Sequence, residues 1–177
     1  MSPEAASALY DTMTYVHGAA AIGGAVYGMK QAGNVLDHPN ISGKVLGEYS
    51  AIKSGPLDRD MALTFSGARY KEVVLSEDTL LYRAGIADSP FGQYFSFEKQ
   101  NGVVQTRIDK ALLPVWPNGA ASPLDTSFGI KIPAGTKVYI GDVGYQNGFY
   151  LGGTEQIAVP KPWDIPGVEI ISKDPLK

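Results

Sequence analysis

Gly152-Gly153-Thr154-Glu155-Gln156-Ile157-Ala158-Val159 is the stretch that best indicates how this chain folds. The glycine pair tolerates backbone angles and close approaches that other residues forbid. The apolar run after it, stopped by Pro160, predicts a buried strand. Glu155 and Gln156 therefore lie where a loop becomes a strand, which is a rigid place to hold a reacting group. Taken alone, the octapeptide is more typical of a tight turn that leads into an edge strand.

Short apolar or alternating runs recur on the N-terminal side of this stretch and beyond it, separated by Gly, Pro, Asn and Asp. This pattern predicts a strand-rich domain of turns and hairpins. The predicted strands cover residues 70–75, 79–83, 94–97, 103–108, 128–132, 137–140, 156–159 and 168–171. A short helix is predicted over residues 57–65, one helical turn over 109–113, and a turn between two strands over 132–136. We therefore expect an α+β fold.

The first third of the chain has a different composition. Ser2-Pro3-Glu4 is typical of a helix start, with a capping hydroxyl, a proline at the first helical position and an acid in the first turn. A Gly- and Ala-rich helical segment is predicted to follow. Residues 34–56, which are rich in turn formers and include His38, predict a linker with little regular structure. We expect a helical segment and linker over residues 1–55 and a catalytic domain over residues 56–177.

Composition narrows the functional classes. The apolar fraction of 44% and the charged fraction of 19% are those of an ordinary globular domain. The chain has no cysteine, so it forms no disulfide and offers no thiolate to a metal. Its net charge of −3 lacks the basic footprint of a nucleic-acid binder. Residues 16–29 are apolar but too few for a spanning helix, so we expect no stable membrane span, and no metal.

Several polar and aromatic residues on the predicted strands are candidates for chemistry. Arg83 ends a strand just before a glycine, where a guanidinium can donate two parallel hydrogen bonds to a phosphate or carboxylate. Arg107 follows another apolar run in the same way. Strand 94–97 alternates polar and apolar side chains, so Tyr94 and Ser96 share one face. Each of these residues alone is more often a surface ion pair or part of a core.

The remaining inventory excludes the common nucleophilic sites. Beyond residue 56 the chain contains neither His nor Cys, so no Ser-His-Asp or Cys-His set is possible there. It also has no phosphate-binding loop and no dinucleotide fingerprint. Two arginines, aromatic rings and an amide or carboxylate remain. That set suits cleavage of the nicotinamide–ribose bond of NAD, because nicotinamide is a cationic leaving group that needs no general acid and the transition state resembles an oxocarbenium ion.

Four motifs occur in an order that resembles a known group of toxin domains. They are Leu-Tyr-Arg at 81–83, Gly-x-Tyr-Phe-Ser at 92–96, Ile-Pro-Ala-Gly-Thr at 132–136 and Gly-Gly-x-x-Gln-Ile at 152–157. Together they resemble the ADP-ribosyltransferase-like toxin domains, and within these the necrotizing-toxin (TNT) family of NAD glycohydrolases. Such domains form the C-terminal part of bacterial polymorphic toxins, including contact-dependent inhibition and Rhs effectors. The resemblance covers roughly residues 70–171 and implies a split β-sheet core.

The resemblance also implies roles for individual residues. Arg83 would bind the diphosphate, and Gln156 would be the catalytic glutamine that orients the ribose. The expected substrate-binding residues are Tyr94, Phe95, Ser96, Arg107, Gly152 and Gly153. Transferases of the same fold use a glutamate near the Gln156 position, commonly in a Glu-x-Glu pair. Here Glu155 is offset by one residue and no such pair exists, which favours water as the acceptor.

These implications leave alternatives open. The expected reaction is hydrolysis of NAD or NADP, as substrate and not as cofactor, to nicotinamide and ADP-ribose or its phosphate. The resemblance further implies a cognate immunity protein, and secretion or cell-surface delivery as part of a larger effector that acts in the cytoplasm of a target cell. A protein ADP-ribosyltransferase using Glu155, a ribonuclease toxin that cleaves tRNA, and a non-catalytic structural or adhesin module are the other interpretations.

Overall fold

The computed structural model describes residues 35–110, 112–115, 119–144 and 152–177. The chain divides into two compact units, residues 1–35 and residues 36–177, and every element below belongs to the second. The predicted N-terminal helix lies outside the described residues. Within the described residues, no helix is both long and apolar enough to cross a membrane.

The described residues form eight strands, two short α-helices and two turns of 3-10 helix. The strands are β1 (Gly43–Tyr49), β2 (Tyr70–Leu75), β3 (Thr79–Gly85), β4 (Tyr94–Phe95), β5 (Thr126–Ile132), β6 (Lys137–Asp142), β7 (Glu155–Ala158) and β8 (Glu169–Pro175). The helices are α1 (Arg59–Leu63) and α2 (Val103–Asp109), and the 3-10 turns are Ser66–Ala68 and Pro162–Asp164. This is a strand-rich α+β fold, as the sequence predicts.

The strands form two antiparallel sheets, one in the order β1-β2-β6-β7-β4 and the other in the order β3-β5-β8. Consecutive strands lie in different sheets at five connections, which include those from β2 to β3 and from β5 to β6. These two connections are joined, because the Ala134 N–H donates to the Asp78 carboxylate at 2.9 Å. At another point the sheets touch directly, where Tyr82 and Ser96 exchange two backbone hydrogen bonds of 2.8 Å.

The main core draws on both sheets. Its fully buried members include Val73, Val138 and Ile157 from the larger sheet and Leu81, Ile130 and Ile132 from the smaller one. Each such side chain contributes about 1.5–3 kcal/mol by leaving water. A second cluster packs α1 against the larger sheet and includes Met61, Phe65, Tyr139 and Ala158. Since Ala158 lies two residues after Gln156 on β7, the Gln156 side chain is on this second face.

The prediction of a linker over residues 34–56 is wrong, because β1 lies within it and pairs with β2 along its length. Two of the turn formers in this segment, Gly43 and Gly47, allow close packing in the strand. A Cβ on Gly43 would lie 2.4 Å from a methyl group of Val73, and a Cβ on Gly47 would lie 2.5 Å from the Tyr49 hydroxyl. Glycine in a strand often marks such an approach. The second compact unit therefore begins about 20 residues before the expected boundary at residue 56.

The predicted strand over residues 103–108 is also wrong, because this segment is α2. Helix propensity of β-branched residues is lower by only a few tenths of a kcal/mol, so tertiary context decides between the two structures. Here Thr106 is the buried residue of the helix, while Val104 is 72% exposed. A strand would have needed a partner to bury these apolar residues. The other predicted strands are confirmed to within a few residues, and the 132–136 turn and the 57–65 helix are also found.

Candidate functional site

A cavity of about 350 Å³ lies where β4 meets β3, a size suited to part of a small ligand. Its wall is built from β3, β4, β7, α2 and the residues that follow α1 and α2. The polar side chains in this wall include Thr64, Arg83, Tyr94, Gln100, Lys110 and Gln156. No Asp or Glu is among the described residues that line it. In a chain of net charge −3, the described part of the cavity wall therefore presents two cations and no carboxylate.

Gln156 is 6% exposed, and its amide has a defined orientation. Its Nε2 donates to the Thr64 hydroxyl at 2.9 Å, and that hydroxyl donates to the Met61 carbonyl at 2.7 Å. Because the Thr64 proton is directed at Met61, the Thr64 oxygen can only accept, so the NH₂ group of Gln156 must face it. The carbonyl oxygen of the Gln156 side chain is then the atom available to a hydroxyl donor in the cavity.

Arg83 lines the same cavity, beneath the segment that precedes β4. Its Nη1 donates to the carbonyls of Ser89 at 3.1 Å and Pro90 at 2.6 Å. Gly92 passes so close that a Cβ there would lie 2.5 Å from Nη2. The buried Nε has no hydrogen-bond partner among the described residues. Burial lowers the pKa of Arg83, so the cavity holds a desolvated guanidinium whose partners are neutral carbonyls.

The three consecutive residues of the predicted aromatic strand all line the cavity, but they differ in exposure and in the contacts they make. Tyr94 lines the cavity and is 39% exposed, and burial of its hydroxyl raises its pKa above the ordinary value of 10.0. Phe95 is 3% exposed and belongs to the main core. Ser96 is buried at the contact between the sheets, where its hydroxyl donates to the Glu98 carbonyl and accepts from the Gln100 amide. Tyr94 is thus the member of the three whose ring is accessible to a ligand.

Lys110 is a cavity residue that the sequence does not indicate. It follows α2 directly, and its Nζ donates to the backbone carbonyl of Glu155 at 2.6 Å. Burial lowers the pKa of Lys110, and the carboxylates of Asp109, Glu98 and Glu155 oppose that effect only in part. The ammonium is therefore held beside the first residue of β7, next to Gln156.

The carboxylate of Glu155 is directed away from the cavity, toward His38. The His38 Nε2 lies 2.8 Å from the Glu155 Oε2. Because the His38 Nδ1 accepts from the Asn40 N–H at 3.2 Å, Nε2 carries the proton of the neutral ring. Phe97 packs against this ring, with centroids 4.5 Å apart. The expectation of a catalytic part without imidazole is therefore wrong, since His38 lies in the same unit as β7.

Arg107, a predicted substrate-binding residue, is not among the described residues of the cavity wall, so the structure does not bring it together with Arg83 and Gln156. It lies on α2, and its guanidinium donates to the carbonyls of Leu112 at 3.3 Å, Leu113 at 2.9 Å and Ser122. These bonds tie the segment after α2 to the segment before β5. A guanidinium has five N–H donors, so an arginine can hold several carbonyls at once. Arg107 therefore fixes the path of the backbone around α2. The sequence did not suggest this role, because it placed Arg107 at the end of a strand.

Gly152 and Gly153 do not line the cavity either, although both need to be glycine. Their φ values are +64° and +82°, in the left-handed region that glycine adopts without strain. A Cβ on Gly152 would also lie 2.6 Å from the Val143 carbonyl oxygen. The Gly153 N–H donates to that oxygen at 3.0 Å, and the Val143 N–H donates to Thr154. The glycine pair thus sets the path of the chain into β7.

The sequence predicted five residues that line the cavity, Arg83, Tyr94, Phe95, Ser96 and Gln156, and missed others. The missed polar residues are Thr64, Gln93, Gln100, Thr106 and Lys110. Thr64 acts on a residue 92 positions away, and Lys110 on one 45 positions away. Contacts at such separations leave no pattern in a single sequence. Because Lys110 and Thr64 each follow a helix, the packing of that helix determines which side chains they contact.

Comparisons with known proteins give one informative match. No family model and no curated protein matches the chain. Among solved structures, a chain in the structure of Tne2 in complex with Tni2 matches with a TM-score of 0.50 and 14% identity. The match covers 60% of this chain and 92% of that one. The fold is similar. At this identity, the likeness concerns the fold alone.

Proposed function

We propose that residues 36–177 form a toxin domain that hydrolyses NAD or NADP to nicotinamide and ADP-ribose or its phosphate. The observation that carries the proposal is that Arg83 and Gln156 line one cavity. An anionic dinucleotide needs a cation for its phosphates and a polar acceptor for its ribose hydroxyls, and the cavity offers both. Further support comes from the absence of Asp and Glu among the described cavity residues, because a carboxylate would repel the phosphates.

In the proposed reaction the bond between the ribose C1′ and the nicotinamide nitrogen breaks. Its electron pair goes to the ring nitrogen, which leaves as neutral nicotinamide. The Gln156 Oε1 accepts from a ribose hydroxyl and stabilises the oxocarbenium-like transition state, in which charge builds up on the sugar. A water oxygen bonds to C1′ and releases one proton to solvent. Since the leaving group departs uncharged, no general acid is required.

Water is the proposed acceptor because of where Glu155 points. A transferase would need a carboxylate in the cavity to position a protein acceptor. The Glu155 carboxylate contacts His38 instead and is not part of the cavity wall. The amide of Gln156 occupies the position beside it on the cavity side of β7. This arrangement supports hydrolysis over transfer to protein.

The first experiment follows free nicotinamide after the purified protein is mixed with NAD or NADP. Parallel samples contain a mixture of candidate acceptor proteins or tRNA. Release without an acceptor is the expected result. Release of nicotinamide only when an acceptor is present would instead identify a transferase. Cleavage of the tRNA would identify a ribonuclease, and the absence of reaction in every sample would identify a non-catalytic module.

Replacing Gln156 by Ala should lower kcat at least a hundredfold, or about 3 kcal/mol, if its amide stabilises the transition state. Gln105→Ala is the matched control, because Gln105 is an exposed glutamine of α2 whose amide bonds Asp109. It should change kcat less than about twofold, since surface substitutions have small effects. A loss below threefold for Gln156→Ala would remove this residue from the mechanism.

The toxin role is proposed together with delivery into a target cell and a cognate immunity protein that covers the cavity. The chain with a similar fold comes from a structure of Tne2 in complex with a second protein, Tni2. Expression of residues 36–177 in the cytoplasm of a bacterium should stop growth and deplete NAD. The Gln156→Ala variant at equal abundance should permit growth. Growth arrest by both variants would mean that toxicity does not come from NAD hydrolysis.

A further inference from the structure

The cavity contains a second cation, Lys110, that forms no ion pair with any of the described residues. None of the ion pairs among the described residues includes Lys110 or Arg83. The Lys110 ammonium has three N–H donors, and the protein acceptor found for it is the Glu155 carbonyl. A desolvated charge is costly unless it is paired. A ligand anion would supply that pairing, so Lys110 has the surroundings of a binding residue.

The position of Lys110 selects one part of a dinucleotide. Its Nζ lies 2.6 Å from the carbonyl of Glu155, the residue directly before Gln156. The cation is therefore at the same end of β7 as the amide proposed to hold the reacting ribose. Arg83 comes from β3, in the other sheet, and its Nη1 is held by the carbonyls of the segment before β4. Arg83 thus reaches the cavity from the smaller sheet, and Lys110 reaches it from the end of α2, beside β7 of the larger sheet.

We propose that Lys110 binds the phosphate attached to the 5′ oxygen of the nicotinamide ribose, the phosphate nearest the bond that breaks. Arg83 then contacts the second phosphate of the diphosphate. This inference rests on the proposed hydrolysis and names a specificity-determining residue for it. It makes the enzyme one that requires a 5′-phosphorylated nicotinamide riboside, and it explains why a lysine is held beside the catalytic amide.

A merely structural role for Lys110 is the competing explanation. A cation at the C-terminal end of a helix interacts favourably with the helix dipole, and Lys110 caps α2. That role would not depend on which substrate is present. Substrates with and without the 5′ phosphate therefore distinguish the two explanations.

The experiment compares nicotinamide riboside, nicotinamide mononucleotide and NAD as substrates of the 36–177 unit and of the full chain. Lys110→Met should lower kcat/KM for the mononucleotide and for NAD by about tenfold to a hundredfold, the range for a charged hydrogen bond. The effect should lie mainly in KM. The same variant should change kcat/KM for the riboside less than about threefold, and Lys110→Arg should restore most of the activity on NAD. The control Lys44→Met removes an exposed charge of β1 and should leave all three substrates unaffected.

Two results would overturn the inference. One is an equal loss for all three substrates in Lys110→Met, which would assign Lys110 to structure. The other is full activity of Lys110→Met on NAD. If the wild-type protein releases no nicotinamide, the proposed function fails, and calorimetry with inorganic pyrophosphate then tests the anion site independently. Binding that Lys110→Met weakens about tenfold supports the site, while no binding to the wild type rejects it.

Discussion

At the scale of single residues, the contact between Gln156 and Thr64 fixes which atom of the amide is available to a ligand. Thr64→Val removes the acceptor of the Gln156 Nε2, so the amide should lose its defined orientation. We expect kcat to fall about tenfold, the effect of misplacing one transition-state contact. Thr64→Ser keeps the hydroxyl and should retain kcat within about twofold. Steady-state kinetics on NAD measures both, and an unchanged kcat in Thr64→Val would show that something else orients the amide.

The glycine pair offers a second prediction at this scale, because the two positions differ in their surroundings. Gly152→Ala combines a positive φ with a Cβ 2.6 Å from a carbonyl oxygen, whereas Gly153→Ala has the positive φ and no atom within 4 Å. We expect Gly153→Ala to lower the free energy of unfolding by about 1 kcal/mol and Gly152→Ala by about 3 kcal/mol. Urea denaturation of the two variants measures the difference. Equal losses would mean that the contact with Val143 relaxes without cost.

The lowered pKa of Lys110 gives a prediction about pH. Its ordinary value is 10.5, and burial lowers the pKa in the folded protein. Between the lowered pKa and 10.5, the unfolded state binds more protons than the folded state, so stability rises with pH in this window. The unfolding free energy of the wild type should therefore increase relative to that of Lys110→Met as pH approaches 10.5. A difference that stays constant or reverses in sign would contradict this burial effect.

At the scale of elements, α2 is held by Arg107, whose guanidinium joins the segment after the helix to Ser122. Arg107→Met should lower the free energy of unfolding by about 2 kcal/mol, because buried carbonyls lose a charged donor. In the folded variant, any change in kcat/KM should be the same for nicotinamide riboside and nicotinamide mononucleotide. This expectation separates Arg107 from Lys110. A loss confined to the phosphorylated substrate would instead support the substrate-binding role that the sequence predicted for Arg107.

At the scale of the whole molecule, the second unit includes β1 and the seven residues that precede it, residues 36–42. Leu36 and Ile41 lie in the main core, and His38 contacts Glu155. A chain of residues 36–177 should therefore unfold cooperatively. Its activity should be within about twofold of that of the full chain. A chain of residues 56–177, which the sequence alone would have suggested, loses an edge strand and exposes β2. The shorter chain should aggregate or unfold without a cooperative transition, which circular dichroism on heating would detect. A cooperative transition would mean that β1 is dispensable.

The parts of the fold that were predictable are those with a local cause. The strand at Tyr70–Leu75 and the turn at 132–136 follow from alternation and from the turn residues themselves. Residues 103–109 and β1 were misassigned because their structure depends on partners. In β1 the glycines make room for Val73 and Tyr49, side chains that the linker interpretation did not consider. In α2 the apolar run has no strand partner among the described residues and is left partly exposed.

The sequence by itself determined the strand-rich class, the path of the glycine pair into β7, and the five cavity residues that stand in recognisable motifs, which are Arg83, Tyr94, Phe95, Ser96 and Gln156. Those features depend on local backbone preference and on side-chain alternation, which neighbouring residues specify. Only the tertiary structure decided that Glu155 contacts His38 while Lys110 and Thr64 join the cavity. These contacts join residues that are 45 to 117 positions apart and depend on how helices pack against sheets. Contacts at such separations produce no recognisable pattern in the sequence between the two residues.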